Sequence, residues 1–352
     1  MKIAICTGGG DCPGLNAVIR AVTRHAKLNF NMDVVGILES INGLMCDPPR
    51  IRHLSLNDVA GIIDRGGTML GTSNKGSPFK DPTEGPKAIA NALKNWKSLG
   101  LDALIVVGGD GTQRMALNLH HAGMPIVGIP KTIDNDYSPT DLSIGFLTSV
   151  EVAANAISRL HSTAESHSRA MVIEVMGRDA GYIALHAGIA AAANVILLPE
   201  IPFNYDAIVK ATEERRMRGR NFSIIVVAEG AYENGKAPMF RSSATGTVHL
   251  GGIADEVART LHTRIGMDTR VTVLGHTQRG GSPVMMDRIL ATAFGVHAVD
   301  LIAKKQYGHV VTWKGGRVSQ MPYNEIVEGT RAIAPTDQFI HAAESIGICL
   351  GR

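Results

Sequence analysis

Ile126-Val127-Gly128-Ile129-Pro130-Lys131-Thr132-Ile133-Asp134-Asn135-Asp136 is the stretch whose reading decides the fold. Its first four residues are an apolar run that predicts a buried strand, and the remainder predicts a loop at that strand's carboxyl end. Two carboxylates two positions apart, Asp134 and Asp136, stand beside Lys131 and Thr132, so the loop offers a base, a metal partner and phosphate donors. Upstream, Ala103-Leu104-Ile105-Val106-Val107 repeats the pattern and ends in Gly108-Gly109-Asp110-Gly111-Thr112. Two such loops point to phosphoryl transfer, a chemistry that rests mostly on positioning and charge neutralisation.

Outward from these loops, short β-like runs alternate with helical patterns. Strands are predicted at 2–7, 33–38, 102–108, 125–130, 170–176, 194–199, 222–229 and 269–275. Helices are predicted at 14–28, 86–98, 112–122, 144–163, 181–192, 205–217, 251–265 and 284–304. The alternation predicts an α/β fold of right-handed βαβ units, with largely parallel sheets and helices on both faces. In such sheets ligands gather at the carboxyl ends of strands. Residues 71–86, rich in turn formers and carrying Lys75 and Lys80, read as a functional loop, and 232–249 as a surface excursion. No linker marks a boundary between halves. Helix 144–163 reads as a crossing element, which would make the domains discontinuous.

A chain of 352 residues exceeds the size at which one core keeps growing, so two domains are expected. Apolar residues at 45% and charged residues at 19% exclude a disordered chain. A formal charge of +3 is too small to argue for nucleic acid. Cys6, Cys12, Cys46 and Cys349 show no CxxC spacing, which fits a reduced, cytoplasmic compartment. No apolar run reaches the roughly 18 residues of a membrane span, so neither a membrane nor a nucleic-acid partner is expected.

A third loop, Thr7 to Gly14, joins the first strand to a helix opened by Pro13, where backbone amides and the helix dipole favour an anion. It carries neither GxGxxG nor a Walker A pattern. Alone, such a turn is structural at least as often as it binds phosphate, and an Asp at a helix start, such as Asp110, is usually an N-cap. Three such loops on one sheet edge weigh against the bland reading. Further along, Met176-Gly177-Arg178, Glu229 and His276-Thr277-Gln278-Arg279 each follow an apolar run, while Arg169 and Arg270 begin strands. These cations suit a sugar phosphate, because a guanidinium matches phosphate bidentately. Any one arginine is by default a surface ion pair, and His276 could equally be a core histidine. Glu229 is harder to dismiss, since a buried carboxylate needs a partner such as a sugar hydroxyl. Cys12, at a helix start, is either an oxidisable thiol or an inert loop residue.

At these residues the chain resembles the 6-phosphofructokinase family, of the phosphofructokinase A type in its longer, mixed-substrate branch. The matching segments are TGGGDCPGLNAVIR (7–20), DRGGTMLGTS (64–73), GGDGT (108–112), PKTIDND (130–136), IGFLTS (144–149), EVMGRDAGYIA (174–184), VAEGA (227–231) and VLGHTQRGGSP (273–283). The resemblance implies two Rossmann-like three-layer domains with the active site in the cleft between them. One, for the phosphoryl donor, would take 1–143 plus about 276–308; the other, for the sugar phosphate, 144–275 plus about 309–352. It implies ATP as donor, Mg²⁺ as cofactor and fructose 6-phosphate as acceptor. Asp134 would be the general base, Asp110 would hold the metal with Asp136 in support, and Thr132 and Gly10 would bond the transferring phosphoryl group. Arg178 would neutralise charge developing on it. Donor contacts would come from Gly9, Lys75, Gly108, Gly109, Gly111 and Thr112. Ile133, Met176, Gly177, Glu229, His276 and Arg279 would meet the sugar phosphate. Arg169 and Arg270 would reach it from a neighbouring subunit, which implies a homodimer or homotetramer.

Two positions bear on the donor and pull apart. Members using pyrophosphate generally carry Asp where this chain has Gly111, and Gly there leaves room for a nucleotide. Lys131, by contrast, is the residue common in pyrophosphate enzymes. A pyrophosphate-dependent enzyme and a kinase for a longer sugar phosphate, such as sedoheptulose 7-phosphate, are therefore the alternatives. An inert nucleotide-binding regulator is a further one, opposed by Asp134, Asp110 and Arg178, because binding alone needs no base. Arg20 and Arg24 resemble part of the family's effector set, and the basic stretch 215–221 matches it loosely.

Overall fold

The computed structural model describes residues 1–74, 79, 81–242, 248–326 and 329–352. The chain forms two compact units. The first comprises Met1–Ile133, Tyr137–Thr148 and Arg279–Gly329; the second comprises Asp134–Asp136, Ser149–Gln278 and Thr330–Arg352.

The first unit is built on β1 (Lys2–Thr7), β2 (Asp33–Ile37), β3 (Ile51–Leu54), β4 (Ala103–Gly108), β5 (Ile126–Pro130), β12 (His309–Lys314) and β13 (Arg317–Pro322). They form one sheet in the order β13-β12-β5-β4-β1-β2-β3, parallel except at its two edges. β4 and β5 are buried along their whole length, as strands covered on both faces must be, which is why they read as unbroken apolar runs. Helices α1 (Leu15–Phe30), α2 (Asn42–Met45), α3 (Glu84–Ser98), α4 (Asp110–His121) and α9 (Met285–Ala303) complete the unit. On one face Trp96 of α3 and Met115 and Leu119 of α4 pack over Ala4, Cys6, Leu104 and Val106. α1 and α9 approach closely at Gly295, where a Cβ would stand 2.8 Å from that of Ala21 and 3.1 Å from the Val18 carbonyl.

Gln113, on the buried side of α4, ties the strand ends together. Its amide nitrogen donates to the carbonyls of Val106 (3.1 Å), Gly108 (3.1 Å) and Ile129 (3.0 Å). Its oxygen accepts from the Tyr323 hydroxyl at 2.6 Å. One side chain thus holds the ends of β4 and β5, from which both acidic loops depart, and the turn after β13.

The second unit carries a parallel sheet in the order β11-β6-β8-β7. Its strands are β6 (Ala170–Val175), β7 (Val195–Leu197), β8 (Ser223–Ala228) and β11 (Thr269–Val273). Around it run α5 (Phe146–Ser166), α6 (Tyr182–Ala190), α7 (Tyr205–Met217), α8 (Ile253–Ile265) and α10 (Gln338–Ser345), with a hairpin of β9 (Phe240–Ser242) and β10 (Val248–Leu250). Division between the units falls inside α5, after Thr148.

All eight strands and eight helices expected from the sequence are present, with ends displaced by at most three residues. α2, β3, the β9–β10 hairpin, β12, β13 and α10 are additions. The C-terminal assignment differs as well. Residues 309–329 group with the first unit, because β12 extends its sheet through the parallel pairing of His309 with Val127 and Val310 with Gly128.

Replacing Gln113 by Leu keeps the volume but leaves the buried Tyr323 hydroxyl without this acceptor, at about 1–3 kcal/mol for an orphaned group. It also takes one donor from each of three carbonyls, of which Gly108 O keeps the Lys131 N–H. The expected result is a clearly lower denaturant midpoint for Gln113→Leu; an unchanged midpoint contradicts the stapling role.

Candidate active site

In the first unit the loop after β1 is fastened from all sides. Gly8 N–H donates to Val107 O at 2.9 Å, Gly9 N–H to Ser73 O at 3.0 Å, and Thr72 Oγ1 to Gly9 O at 2.6 Å. Two cations stand on the loop: buried Lys131 donates through Nζ to the Gly10 carbonyl, and Arg279 through Nη1 to Asp11 O at 3.2 Å. The guanidinium lies so close that a Cβ on Gly10 would come within 2.7 Å of Nη1. A fixed loop, two cations and the start of α1 together make an anion site. Arg279, grouped by sequence with the sugar-phosphate cations, therefore faces the glycine loop.

The loop after β4 enters α4 directly. Gly109 occupies the N-cap position, so Asp110 is the first helical residue and not a capping side chain. Its half-exposed carboxylate pairs with Arg114 Nε at 2.9 Å, one turn on. Gly111, within the helix, faces open space: no heavy atom of the described residues lies within 4 Å of a Cβ built there. Thr112 packs back against Gly8 and Gly108, where added Cβ atoms would fall within 2.7 Å and 2.4 Å of its side chain. Among the described residues no group of three or more His, Cys, Asp or Glu could hold a metal by itself. A lone exposed carboxylate fits Mg²⁺, which keeps several waters and binds through one or two carboxylates plus substrate phosphates.

In the loop after β5, Ser143 Oγ donates to Thr132 O at 2.7 Å. Ile133, Asp134 and Asn135 are buried, and Asn135 has φ +55°, a left-handed conformation that Asn tolerates better than most side chains. Asp134, Asn135 and Asp136 group with the second unit.

In that unit the turn after β6 is strained. Gly177 has φ +147° and Arg178 φ +53°. The N–H groups of Gly177 and Arg178 donate to Glu229 Oε1 at 3.3 and 3.0 Å, and that of Met176 to Oε1 of buried Gln278 at 2.8 Å. Burial pushes the Glu229 carboxyl above its ordinary pKa, and the two amides pull it part of the way back. Glu229 therefore holds the turn that presents the exposed Arg178. His276 is exposed on the short turn Gly275–Arg279, which excludes a core histidine.

Arg169 and Arg270 stand at the opposite end of the same sheet, at the amino ends of β6 and β11. Both pair with Asp268, Arg169 Nε at 3.2 Å and Arg270 Nη1 at 2.5 Å. The six residues of β6 span about 20 Å, so within one chain these two arginines do not join Arg178, Glu229 and His276. Lys75 lies outside the described residues. Arg20 and Arg24 are half-buried on α1, while Arg215 donates to Phe222 O (3.4 Å) and lies over that ring.

The oxidisable reading of Cys12 is overturned. Its side chain is fully buried, its thiol points at Ile144 O at 3.4 Å, and burial pushes its pKa up to about 12. Gln113, Gln278 and Asp287 escaped the sequence reading. Asp287 is fully buried on α9 and accepts from Gly145 N (3.1 Å), Thr148 N (2.8 Å) and Thr148 Oγ1 (2.5 Å), so it fixes the entry to α5. Nothing in the sequence separates it from a surface helix acid except that the residues one turn away, Val284, Leu290 and Ala291, are apolar.

Residues 2–302 match the family model described as phosphofructokinase. The chain belongs to the phosphofructokinase family. It is 46% identical to an ATP-dependent 6-phosphofructokinase 2 of Clostridium perfringens, over 99% of this chain and 97% of that one. It is 42% identical to an ATP-dependent 6-phosphofructokinase 1 of Synechocystis sp., over 100% and 98%. Among solved structures, Pichia pastoris phosphofructokinase in the T-state is similar with TM-score 0.81 and 35% identity, over 92% of this chain and 35% of that longer one. A pyrophosphate-dependent phosphofructokinase from Marinobacter aquaeolei superposes with TM-score 0.83 over 100% of this chain and 93% of its own, at 19% identity, which speaks for the fold alone. The phosphofructokinase match ends at 302, so β12, β13 and α10 lie beyond it.

A thiol whose pKa is raised stays protonated until the pH approaches that value, so Cys12 carries no thiolate at pH 8. Iodoacetamide at pH 8 is expected to leave Cys12 of the folded protein unmodified and to label it after denaturation, as read by peptide mass mapping. Prompt labelling of the native protein would contradict the burial.

Proposed function

We propose that the chain is an ATP-dependent 6-phosphofructokinase, transferring the γ-phosphoryl group of ATP to the 1-hydroxyl of fructose 6-phosphate in the cytoplasm. The observation that carries the choice of donor is the open space at Gly111, beside the Asp110 carboxylate on the first turn of α4. The full-length likeness to relatives named ATP-dependent supports it.

In this reading Asp134 takes the proton from the attacking hydroxyl while the oxygen closes on the γ-phosphorus. Thr132 and Gly10 bond the transferring group, and Arg178, held out by its Glu229-anchored turn, offsets the charge that develops on it. Asp110 would hold Mg²⁺, which would supply charge neutralisation to the donor phosphates, and Asp136 would support metal or substrate. Met176, Gly177, Glu229 and His276 take the sugar phosphate, while Arg279, which stands on the glycine loop, adds its charge there. Arg169 and Arg270, about 20 Å along the sheet from Arg178, serve the site of a neighbouring copy, so the working form is a homodimer or homotetramer. Pyrophosphate is the second reading, favoured by Lys131, whose Nζ sits on the same glycine loop.

Turnover of purified protein with Mg²⁺ and fructose 6-phosphate, comparing ATP with pyrophosphate, tests the proposal; turnover with pyrophosphate alone overturns it. Asp134→Ser is expected to lower kcat by about 10²–10⁴-fold, with little change in the KM for fructose 6-phosphate. A loss confined to KM argues against the base role. Gly111→Asp meets no steric obstacle and no backbone strain, so the variant should fold and yet use ATP far less well. Unchanged ATP kinetics in that variant would remove the argument from space.

A further inference from the structure

The turn Asp134-Asn135-Asp136 is held by one residue from the far end of the sequence. Arg331 N–H donates to the Asp136 carbonyl at 2.7 Å, and its Nη2 donates to the Asn135 carbonyl at 2.8 Å. The backbone and side chain of one residue therefore grip two successive carbonyls. The gripped residue, Asn135, is the one in the left-handed region, with φ +55°. Such a conformation persists only where its surroundings over-determine it.

Arg331 and the two residues after it are themselves fixed, all within the second unit. Its guanidinium lies over the Tyr182 ring, 4.8 Å from the centroid. The next carbonyl, Ala332 O, accepts from the Tyr182 hydroxyl at 3.3 Å. Ile333 N–H donates to Glu200 Oε1 at 3.0 Å, and the same carboxylate accepts from Gly181 N–H at the start of α6. A planar fork can stack on a ring and still aim an N–H in its own plane, which an ammonium cannot do.

We propose that Arg331 is a positioning residue for Asp134, and that the C-terminal segment 330–333 braces the catalytic turn although it lies outside the family match. The inference rests on the reading of Asp134 as general base. Arg331 does not touch the substrate in this scheme; it holds the backbone of the two residues after Asp134, so the carboxylate meets the hydroxyl at one fixed place. Misplacement of a reacting group by about 1 Å costs on the order of 10²-fold in rate.

Arg331→Gln and Arg331→Lys in the full-length protein test this through two independent readings. In steady-state kinetics Arg331→Gln is expected to lower kcat by about 10–100-fold while the KM for ATP stays near that of the parent, and Arg331→Lys to recover part of the loss. In hydrogen–deuterium exchange, peptides covering 134–137 should exchange faster in Arg331→Gln, with peptides of β6 and β8 unaltered. A general loss of packing would instead raise exchange throughout the second unit and shift both kinetic constants, which overturns the positioning role. Parental kcat in both variants, or unaltered exchange at 134–137, overturns it as well. Should Arg331→Gln fail to fold, Arg331→Lys carries the same two comparisons. If the parent turns over no sugar phosphate while exchange at 134–137 still rises in the variant, the brace stands and the proposed reaction falls.

Discussion

Buried and half-buried carboxylates that accept backbone N–H groups hold the loops of this chain, and the site geometry depends on them. Glu174 binds the amides of Gly252 and Ala254 at the start of α8, Glu200 those of Gly181 and Ile333, Glu229 those of Gly177 and Arg178, and Asp287 those of Gly145 and Thr148. A parallel sheet leaves its loops to end on one side, where neither ladder nor helix supplies acceptors for the first amides of the next helix. A carboxylate does so with charge-assisted bonds, roughly twice as strong as neutral ones. Desolvation opposes the arrangement, and for Glu229 and Asp287 it wins: both carboxyls sit above their ordinary pKa despite the donors they accept. The return is a set of loops already in place before any substrate arrives, which is what electrostatic stabilisation of a developing charge requires.

This constraint explains where the sequence could and could not be read. The parallel strands were legible because burial on both faces demands runs such as Leu104 to Val107, and the helices because one apolar stripe faces the sheet. The edges were not. β13 alternates Val318, Gln320 and Pro322 with Arg317, Ser319 and Met321, without a clear apolar face, since an edge strand need not be covered. Its one signal was Gly315-Gly316 between the strands, both at positive φ, the pattern of a tight hairpin. That hairpin is what carries 309–322 into the sheet of the first unit.

At the candidate site, the residues proposed to carry the chemistry stand out in the sequence because loops beyond parallel strands collect polar side chains that the core excludes, as with Asp110, Asp134 and Arg178. Their supports were not. Gln113 and Gln278 act through amides buried among carbonyls and N–H groups far away in sequence, and nothing local marks them. Glu229 shows the ambiguity most clearly. An acid after an apolar run can face a sugar hydroxyl or brace a turn, and in the structure Oε1 does the second while belonging to a loop proposed for the first. Arg331 carries no motif, because its partners are main-chain atoms and any sequence at 135–136 would offer the same carbonyls.

The apparent conflict between Gly111 and Lys131 softens once both are placed. Lys131 is buried, and its ammonium rests on the carbonyl of Gly10, so its charge belongs to the glycine loop as a fixed feature. A cation held there attracts any polyphosphate chain and distinguishes poorly between two that both end in phosphate. Gly111 acts differently, because its effect is one of excluded volume. It sits one residue past Asp110, on ordinary helical backbone, with no atom of the described residues within 4 Å of where a side chain would begin. An Asp there would fill that space beside the proposed metal carboxylate, and a nucleotide, which extends beyond its terminal phosphates, needs more room than pyrophosphate. Under the proposed function, discrimination between donors would reside in the empty position, while the lysine would supply affinity that either donor can use.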